Sequence, residues 1–354
     1  ELRRVRAIEW RLPRGHAMTR ALRGTRTRIA LAALIAIGGA AGVMLLSGGA
    51  SADGQKARVT STDRWLPLAP SPLQRTEVGA ARIGRYIYVL GGFVSTPSGA
   101  TTREVTRYDI DANEWTQVRS MPVGVNHPAV AAYKGSLYVH GGYTGVVTQP
   151  IDRLFRYTPA TDTWVELKNS GRPRAAHALV PIGGKLYAPG GADGQRVFRF
   201  LQLYDPARDR WRSGPAMRVA REHIGAAAVG GKLYVIAGRD GGLNLDVVER
   251  YDSDTRRWKR LRPVQVPRSG FQAAVVGGRI VAAGGEQLAE GDSTIGEVEI
   301  LNPKTGRWRR LPSMLTPRHG LGVVSRGRRV FTIEGGPMPG LAFSSALEFL
   351  DLGR

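Results

Sequence analysis

Two ladders of residues recur through most of the chain with the same spacing. Six Gly-Gly or Ala-Gly pairs lie 47 to 51 residues apart, and each pair comes at the end of an aliphatic and aromatic run. Their first members are Gly91, Gly141, Gly190, Ala237, Gly284 and Gly335. Six tryptophans keep the same interval: Trp65, Trp115, Trp164, Trp211, Trp258 and Trp308. Two ladders with one period predict six copies of a single structural unit.

Each unit reads as four short strands. In the first unit, "AARIGRYIYVLGG" forms two runs about a turn, and "EVTRYDIDANEWTQV" forms a second hairpin. Glycine pairs such as Gly183-Gly184 and Gly230-Gly231 supply the turn between the first two strands. Four antiparallel strands, repeated six times over residues 60–354, predict an all-β fold, a six-bladed propeller with one blade per repeat.

The two ends of the repeat region predict how the ring closes. Leu350 stands where most units have a tyrosine, and the chain stops before the tryptophan that should come next. Trp65, in contrast, has no strand before it in its own unit. We therefore expect the N-terminal strand around Trp65 to complete the sixth blade, which hides two sheet edges that would otherwise be exposed.

The units "LYVHGGYTG…LFRYTPATDTWVEL" and "LYVIAGRDGG…VERYDSDTRRWKRL" resemble kelch repeats, with the glycine pair followed by Tyr and then Trp. The resemblance covers residues of about 60 to 354 and implies the same propeller. It implies little about function, because kelch propellers include adaptors, glycan-binding proteins and a few enzymes. This chain departs from the pattern at Ala237, Leu301 and Leu350, where we expect altered packing and unchanged topology.

Residues 1–52 have the layout of an export signal. Nine arginines and two acids precede or flank an uncharged apolar run at residues 29–46, which we expect to be helical. Ala50-Ser51-Ala52 fits a cleavage pattern, but the run is also long enough to remain as a membrane anchor. Residues 53–59 then form a linker, and Met18 is a candidate start. Either alternative predicts a propeller in the periplasm, at the cell surface or outside the cell.

An arginine recurs sixteen residues before the glycine pairs. The positions are Arg75, Val125, Arg174, Arg221 and Arg268, and one extra turn residue in the sixth unit shifts the match to Arg318. The other candidate binding residues at the same end of the blades are Arg239, Tyr143, His127 and His223. The arginines either cap the inner strands structurally or converge on carboxylates and sulfates at the channel mouth.

We favour the binding interpretation. It predicts a monomeric, non-catalytic propeller that binds an anionic small ligand, a glycan or an acidic protein segment. Kelch adaptors that resemble this chain use such arginines against acidic peptides, which supports this interpretation by analogy.

Four histidines lie near the inner-strand starts: His127, His177, His223 and His319. They occupy alternate strand positions, and successive side chains of a strand point to opposite faces. We therefore expect that they cannot all face the channel, and we predict neither a metal site nor a cofactor.

The sequence offers little for catalysis. With no cysteine, the Tyr–Cys crosslink of the copper oxidases within this architecture is excluded. The resemblance leaves one enzymatic alternative, a periplasmic sugar-modifying enzyme like the sialic-acid mutarotases, which needs an acid or base beside an arginine. The candidate groups are Glu222, Glu286 and Glu334, with Arg221, Arg268 and Arg318 near them.

The formal net charge of +22 divides between two regions. The N-terminal segment holds nine arginines and two acids, so +15 remains for the propeller. Part of this forms a stripe on the outer strands of the third to fifth blades, at Arg208, Arg210, Arg212, Arg256, Arg257, Lys259, Arg260, Arg262, Arg307, Arg309 and Arg310. Such charges prevent edge pairing, and they also suit an anionic membrane or envelope surface. We predict no nucleic-acid partner, because no base-stacking motif accompanies the charge.

Overall fold

The computed structural model describes residues 64–96, 99–288 and 292–353. The apolar run at 29–46 and the linker at 53–59 lie outside the described residues. Within the described part of the chain, no helix is long and apolar enough to cross a membrane.

The described residues form six antiparallel sheets of four strands each, arranged as the blades of a propeller. The innermost strands are Gly79–Ile83, Ala129–Tyr133, Val180–Ile182, Gly225–Val229, Ala273–Val276 and Gly322–Arg326. The second strands are Tyr86–Leu90, Ser136–His140, Lys185–Pro189, Lys232–Ile236, Arg279–Ala283 and Arg329–Ile333. The innermost strands contact one another all the way around the axis. The predicted all-β, six-bladed fold is confirmed.

The outer half of each blade is a second hairpin. Its inner members are Val105–Asp109, Leu154–Thr158, Leu201–Asp205, Val248–Asp252, Val298–Asn302 and Leu347–Asp351. Its outermost members are Glu114–Val118, Thr163–Leu167, Arg210–Gly214, Arg257–Arg260, Arg307–Leu311 and Leu66–Pro67. Three short two-stranded sheets accompany the blades, pairing Arg75–Thr76 with Phe93–Val94, Arg239–Asp240 with Leu243–Asn244, and Glu286–Gln287 with Ser293–Thr294.

The sixth blade closes the ring in the way the sequence predicts. Its outermost strand comes from the N-terminal end of the described region, where Leu66 pairs with Phe349 and Pro67 with Glu348. Trp65 is almost fully buried and packs in the same apolar cluster as Leu350. The last blade is therefore built from the two ends of the propeller.

Each tryptophan also ties its blade to the blade before it. The indole N–H of Trp115 donates to the carbonyl of Ala69, and that of Trp65 donates to the carbonyl of Pro312. The other four tryptophans make the same bond to the segment that leaves the preceding blade. In four blades the tryptophan ring packs on the tyrosine seven residues earlier, as Tyr108 does on Trp115, with centroids 5.1 Å apart. The tryptophans that recur along the sequence thus make contacts between neighbouring blades.

Replacing Trp65 with alanine should lower the free energy of unfolding by about 3–5 kcal/mol, because it removes a buried ring and the bond to Pro312 that helps close the propeller. Trp164→Ala is the matched control. Trp164 makes the equivalent bond to Arg119 but is only half-buried, so its loss should be smaller. Urea titration followed by circular dichroism measures both. Equal losses in the two variants would show that the contact of Trp65 at the ring closure adds no stability beyond that of an ordinary blade contact.

Candidate functional site

The five predicted arginines are buried. Arg75, Arg174, Arg221, Arg268 and Arg318 each have 0% exposure and rank among the largest fully buried side chains. The loss of hydration disfavours a charged group in the interior unless an opposite charge and hydrogen bonds compensate it. Their surroundings therefore decide what these residues do.

Four of the five guanidinium groups bind a buried carboxylate. Arg221, Arg268 and Arg318 donate to Glu249, Glu299 and Glu348 on the third strands, at 2.7, 2.7 and 2.5 Å. Arg75 makes a two-pronged contact with Glu334 of the last blade, with its Nε 2.7 Å from one carboxylate oxygen. Their remaining donors bind backbone carbonyls, as Arg268 does with Gly284 and Glu297. These arginines tie strands together.

The exceptions in the second and third blades fit the same explanation. Where the other blades have arginine, the second blade has Val125. Its third strand carries Phe155 in place of the carboxylate, so an apolar pair replaces the ion pair. In the third blade Gln202 takes the carboxylate position, and the pKa of Arg174 falls to about 9 because burial disfavours its charge and Arg172 repels it. The guanidinium of Arg174 packs instead over Phe200, 4.5 Å from its ring centre.

The structure also corrects the register of the sixth glycine pair. In five blades the second member donates its N–H to the carbonyl at the arginine position of the next blade. In the sixth blade the residue that does so is Gly335, which donates to Arg75 at 2.9 Å. The structural pair is thus Glu334-Gly335, sixteen residues after Arg318 as in the other blades, so the sixth repeat needs no extra turn residue. Glu334 adopts the left-handed φ of 54° that glycine supplies in four other blades.

The predicted placement of the arginines at the channel mouth is therefore wrong. The arginine position, sixteen residues before each glycine pair, lies within the blades. Each guanidinium group is therefore buried among the strands and does not face the channel. The alternative interpretation, arginine as a structural cap of the inner strands, describes what the structure shows.

The residue two positions after each arginine, or after Val125 in the second blade, lies on the propeller axis. These axial residues are Glu77, His127, Ala176, His223, Gly270 and Gly320, and all six have a left-handed φ between 52° and 65°. Their backbones form a closed ring, in which the N–H of each later residue donates to the carbonyl of the one before, and Val78 closes it on Gly320. The axial ring brings side chains from different blades to one point.

Three spaces succeed one another along the axis. A pocket of about 470 Å³ opens above the axial ring and is lined by His127, Tyr143, His223 and Arg239 among others. A cavity of about 50 Å³ lies at the level of the ring itself. A channel of about 320 Å³ continues between the innermost strands, where alanines form much of the wall. The predicted residues Arg239, Tyr143, His127 and His223 do share one site.

Glu77 lies at the centre of this site. Its carboxylate oxygens are 3.3 Å from Nε2 of His127, 3.9 Å from Nε2 of His223 and 3.5 Å from Nε2 of His319. Three of the four histidines thus converge, because they precede the regular strands, in turns whose left-handed residues rotate the side chains inward. His177 does lie elsewhere, with its Nε2 2.8 Å from Nδ1 of His140.

Arg239 spans the carboxylates of two blades. Its guanidinium group binds Glu222 at 2.5 Å and Glu286 at 2.7 Å, and its Nη2 lies 3.2 Å from Nε2 of His223. Burial disfavours charge on Glu222, but the attraction of His223 and Arg239 outweighs it and lowers the pKa of Glu222 to about 2. Burial likewise opposes charge on His223, yet Glu222 raises the pKa of this imidazole above its usual value.

The three predicted acid/base groups are therefore already engaged. Glu334 is buried against Arg75. Glu222 and Glu286 both bind Arg239, and the arginines beside them, Arg221 and Arg268, are buried in other ion pairs. The structure does not provide the predicted arrangement of an acid beside an arginine that is free to hold a substrate carboxylate.

Apolar side chains are exposed on loops that follow the glycine pairs, at the same end of the propeller as the pocket, and Val147 among them lines it. Leu243 and Met338 are 64% and 65% exposed, and Val146, Val147 and Leu341 also face solvent. These five residues, which we call the mouth rim, lie in the loops after the glycine pairs of the second, fourth and sixth blades. Neighbouring loops are held together, for example by Thr101 donating to the carbonyl of Gly145 and Thr294 donating to that of Pro337.

Sequence reasoning missed the carboxylates that hold the arginines. Glu249, Glu299 and Glu348 each stand two residues before the tyrosine position of their repeat. The other blades place Thr106, Phe155 and Gln202 there, so the glutamates coincide with three of the arginines. This covariation between repeats was a usable signal for buried ion pairs.

Fold and site together define a propeller with a pocket at one end of its axis, and the comparisons with known proteins agree on the fold. The family described as "KLHDC2/KLHL20/DRC7 Kelch-repeats domain" matches residues 77–218 and 173–336. The chain belongs to the kelch-repeat family. Propellers of this kind are binding and interaction domains.

Curated relatives share parts of the propeller. The chain is 27% identical over 150 residues to Kelch repeat and BTB domain-containing protein 1 of Ectromelia virus, covering 40% of this chain and 26% of the viral protein. It is 35% identical over 124 residues to Kelch-like protein terF of Aspergillus terreus, covering 33% and 27%. It is 30% identical over 132 residues to Kelch-like protein 35 of Mus musculus, covering 37% and 22%. The chain thus spans about a quarter of the length of these relatives.

A solved structure shares the fold. The chain described as "Structure of YjhT" superposes with a TM-score of 0.68 at 19% identity, and the match covers 79% of this chain and 95% of that one. At this identity the likeness concerns the fold alone.

Replacing Arg268 with methionine should lower the free energy of unfolding by about 3–5 kcal/mol, because it leaves Glu299 buried without its partner. The double variant Arg268→Met/Glu299→Leu should regain most of that loss, as the natural Val125 and Phe155 pair of the second blade suggests. Urea titrations of the wild type, both single variants and the double variant form a complete cycle. Additive losses would contradict a mainly electrostatic role for Arg268.

Proposed function

We propose that this propeller is a non-catalytic interaction domain that holds a segment of a partner protein against its mouth rim. The observation that carries the proposal is the set of exposed apolar side chains on the mouth loops, at the same end of the propeller as a pocket of about 470 Å³ that Val147 lines. Exposed apolar groups that cluster around a pocket are typical of binding surfaces. Membership of a family of interaction propellers supports the same function.

The pocket suits a protein segment with apolar side chains. The rim offers leucine, methionine and valine, which gain free energy when a partner removes them from water. The loops also present backbone groups and polar side chains that fix orientation, such as Gln195 and Arg196 at the pocket wall. A partner residue that enters the pocket would meet Tyr143 and Arg239 at its floor.

The charge at the centre of the mouth does not favour an acidic ligand. Glu222 and Glu286 bind the guanidinium group of Arg239, and the negative charge of Glu77 adds to theirs. With the five repeat arginines buried, Arg239 is the predicted arginine that still lines the pocket, and these carboxylates already neutralise it. We therefore propose apolar recognition in place of anion recognition. The sugar-modifying alternative receives no support from the comparisons.

We also propose that the chain is exported. The nine arginines of residues 1–52 and the uncharged run at 29–46 support this, because a basic flank before an apolar run directs the downstream part of a chain across a membrane. The basic stripe on the outer strands would then face an anionic membrane or envelope surface.

The export proposal is tested by sequencing the N-terminus of the protein purified from its native host, in separate soluble and membrane fractions. Cleavage after Ala52 predicts a soluble, exported protein that begins at Asp53. A retained anchor predicts an uncleaved chain in the membrane fraction. An uncleaved chain in the soluble cytoplasm would overturn export in either form.

The rim is tested with charged substitutions. Leu243→Asp and Met338→Asp should each weaken partner binding at least about tenfold, because they place an unpaired charge in an apolar interface. Val165→Asp is the matched control, since Val165 is 44% exposed on an outermost strand and not on the rim. All three side chains are exposed, so the fold should be unaffected.

The measurement begins with a peptide display library selected on the wild-type protein. The affinities of the selected peptides are then compared across the variants by fluorescence anisotropy. Peptides that lose affinity for the rim variants and keep it for Val165→Asp support the proposal. Peptides that bind every variant equally well would rule out the rim as the binding surface.

A further inference from the structure

The three histidines around Glu77 present the same nitrogen to it. Nε2 of His127, of His223 and of His319 all lie 3.3 to 3.9 Å from a carboxylate oxygen of Glu77. The residues come from four different blades, and the ligand atoms of Glu77, His127 and His223 lie within 4.8 Å of one another. Imidazole nitrogens and a carboxylate are the ligand types that transition-metal ions bind.

The other ring nitrogen of each histidine is bound to a hydrogen-bond acceptor. Nδ1 of His319 lies 3.2 Å from the carbonyl of Gly336, which can only accept, so the imidazole donates there. Nδ1 of His223 contacts the carboxylate of Glu222. Nδ1 of His127 lies 2.6 Å from Oδ1 of Asn126.

The orientation of the Asn126 amide is set by its surroundings. Its nitrogen donates to Oγ1 of Thr101 and to the carbonyls of Gly145 and Val146, at 2.8, 2.7 and 3.0 Å. Its oxygen therefore faces His127 and accepts from Nδ1. Each of the three histidines thus has an acceptor at Nδ1, and a neutral imidazole with its proton there directs the lone pair of Nε2 at the centre.

Two kinds of electron-pair donor thus face each other. The lone pair of a neutral His127 and the carboxylate of Glu77, 3.3 Å apart, repel each other unless a proton or a metal ion lies between them. A histidine whose outer nitrogen donates to a carboxylate, amide or carbonyl oxygen while its inner nitrogen faces a shared centre is the usual arrangement of a metal ligand.

We propose that Glu77, His127 and His223 form a binding site for a divalent transition-metal ion, with His319 as a fourth ligand. The set of imidazoles with one carboxylate suits Zn²⁺ or Fe²⁺ and does not suit Ca²⁺ or Mg²⁺, which prefer oxygen. This inference does not depend on the proposed protein partner.

The surroundings leave room for the ion and a path to it. The cavity of about 50 Å³ lies among Glu77, His127 and His223, and the larger mouth pocket reaches the same two histidines from outside. Gly270 and Gly320 keep the rest of the axial ring clear. A Cβ on Gly320 would lie 2.8 Å from the Glu77 carboxyl carbon.

Two adjustments accompany binding. Tetrahedral ligands about 2.0 Å from zinc are about 3.3 Å from one another, so side chains spread over 4.8 Å move inward. Arg239 also withdraws, because its Nη2 lies 3.2 Å from the Nε2 of His223 that would bind the metal. Arg239 is thus a competitor for the site, and its removal should strengthen metal binding.

The test is isothermal titration of the full-length protein, freed of metal by a chelator, with Zn²⁺, with Co²⁺ as a spectroscopic probe and with Mg²⁺ as a hard-ion control. We expect one Zn²⁺ per chain, tetrahedral or five-coordinate Co²⁺ absorption bands, and no Mg²⁺ binding. Glu77→Gln and His223→Gln should each weaken Zn²⁺ binding at least about tenfold. His140→Gln is the matched control, because this buried histidine contacts His177 and does not line the cavity, and this variant should bind Zn²⁺ normally.

A further variant separates metal binding from a structural role. Arg239→Gln should tighten Zn²⁺ binding at least about threefold, because it removes a like charge from the site. Equal or weaker binding in this variant would contradict the assignment of His223 as a ligand. No Zn²⁺ binding to the wild type at about 100-fold excess, or unchanged binding in the Glu77 and His223 variants, would overturn the proposal.

Circular dichroism of the metal-free variants shows whether they fold. If a ligand variant does not fold, crystals of the wild type grown with Zn²⁺ give the answer without substitution. Anomalous density between Glu77, His127 and His223 is then the expected result. Anomalous density only elsewhere would overturn the proposal.

Discussion

The axial ring of hydrogen bonds is the constraint on which the rest of the structure depends. Six blades can surround an axis only if all six innermost strands begin at the same height along it and at the same angle to it. The left-handed residues set that angle, and each bonds to its neighbour in the next blade until Val78 returns to Gly320. A left-handed conformation is costly for residues other than glycine, yet Glu77, His127, Ala176 and His223 adopt it. The surrounding structure must therefore hold them there.

The buried arginines provide that support. Each lies two residues before the axial ring, where its carbonyl binds the glycine pair of the preceding blade. The guanidinium groups of Arg221, Arg268 and Arg318 also bind the third strands of their blades. The cation thus stabilises the segment that carries the axial residue. Because the arginines perform this structural task from inside the sheets, the side chains on the axis remain available for binding. Four of the five buried arginines are neutralised in the interior, and the mouth itself is rich in carboxylates.

The fold could be predicted from the sequence because its signals are local and repeated. The glycine pairs, the tryptophans and the incomplete last unit predict six blades and their closure through Trp65. The position of the site at the mouth was also predictable, since His127, His223 and Arg239 share it. The role of the arginines was not, because a constant spacing shows that residues are equivalent but not whether they face solvent or a buried glutamate. The convergence of His319 with His223 was missed because strand alternation does not hold in the turns before the inner strands.

Residue-resolved hydrogen exchange of the metal-free protein tests this account most directly. The amides of His127, Ala176 and His223 donate within the axial ring, and those of Gly142 and Gly191 bind the carbonyls of Arg174 and Arg221. The account predicts that these amides exchange only through global unfolding, while those of Val146, Val147 and Leu243 on the rim exchange rapidly. Fast exchange of the axial amides through local opening would contradict the claim that a rigid ring holds the site in place.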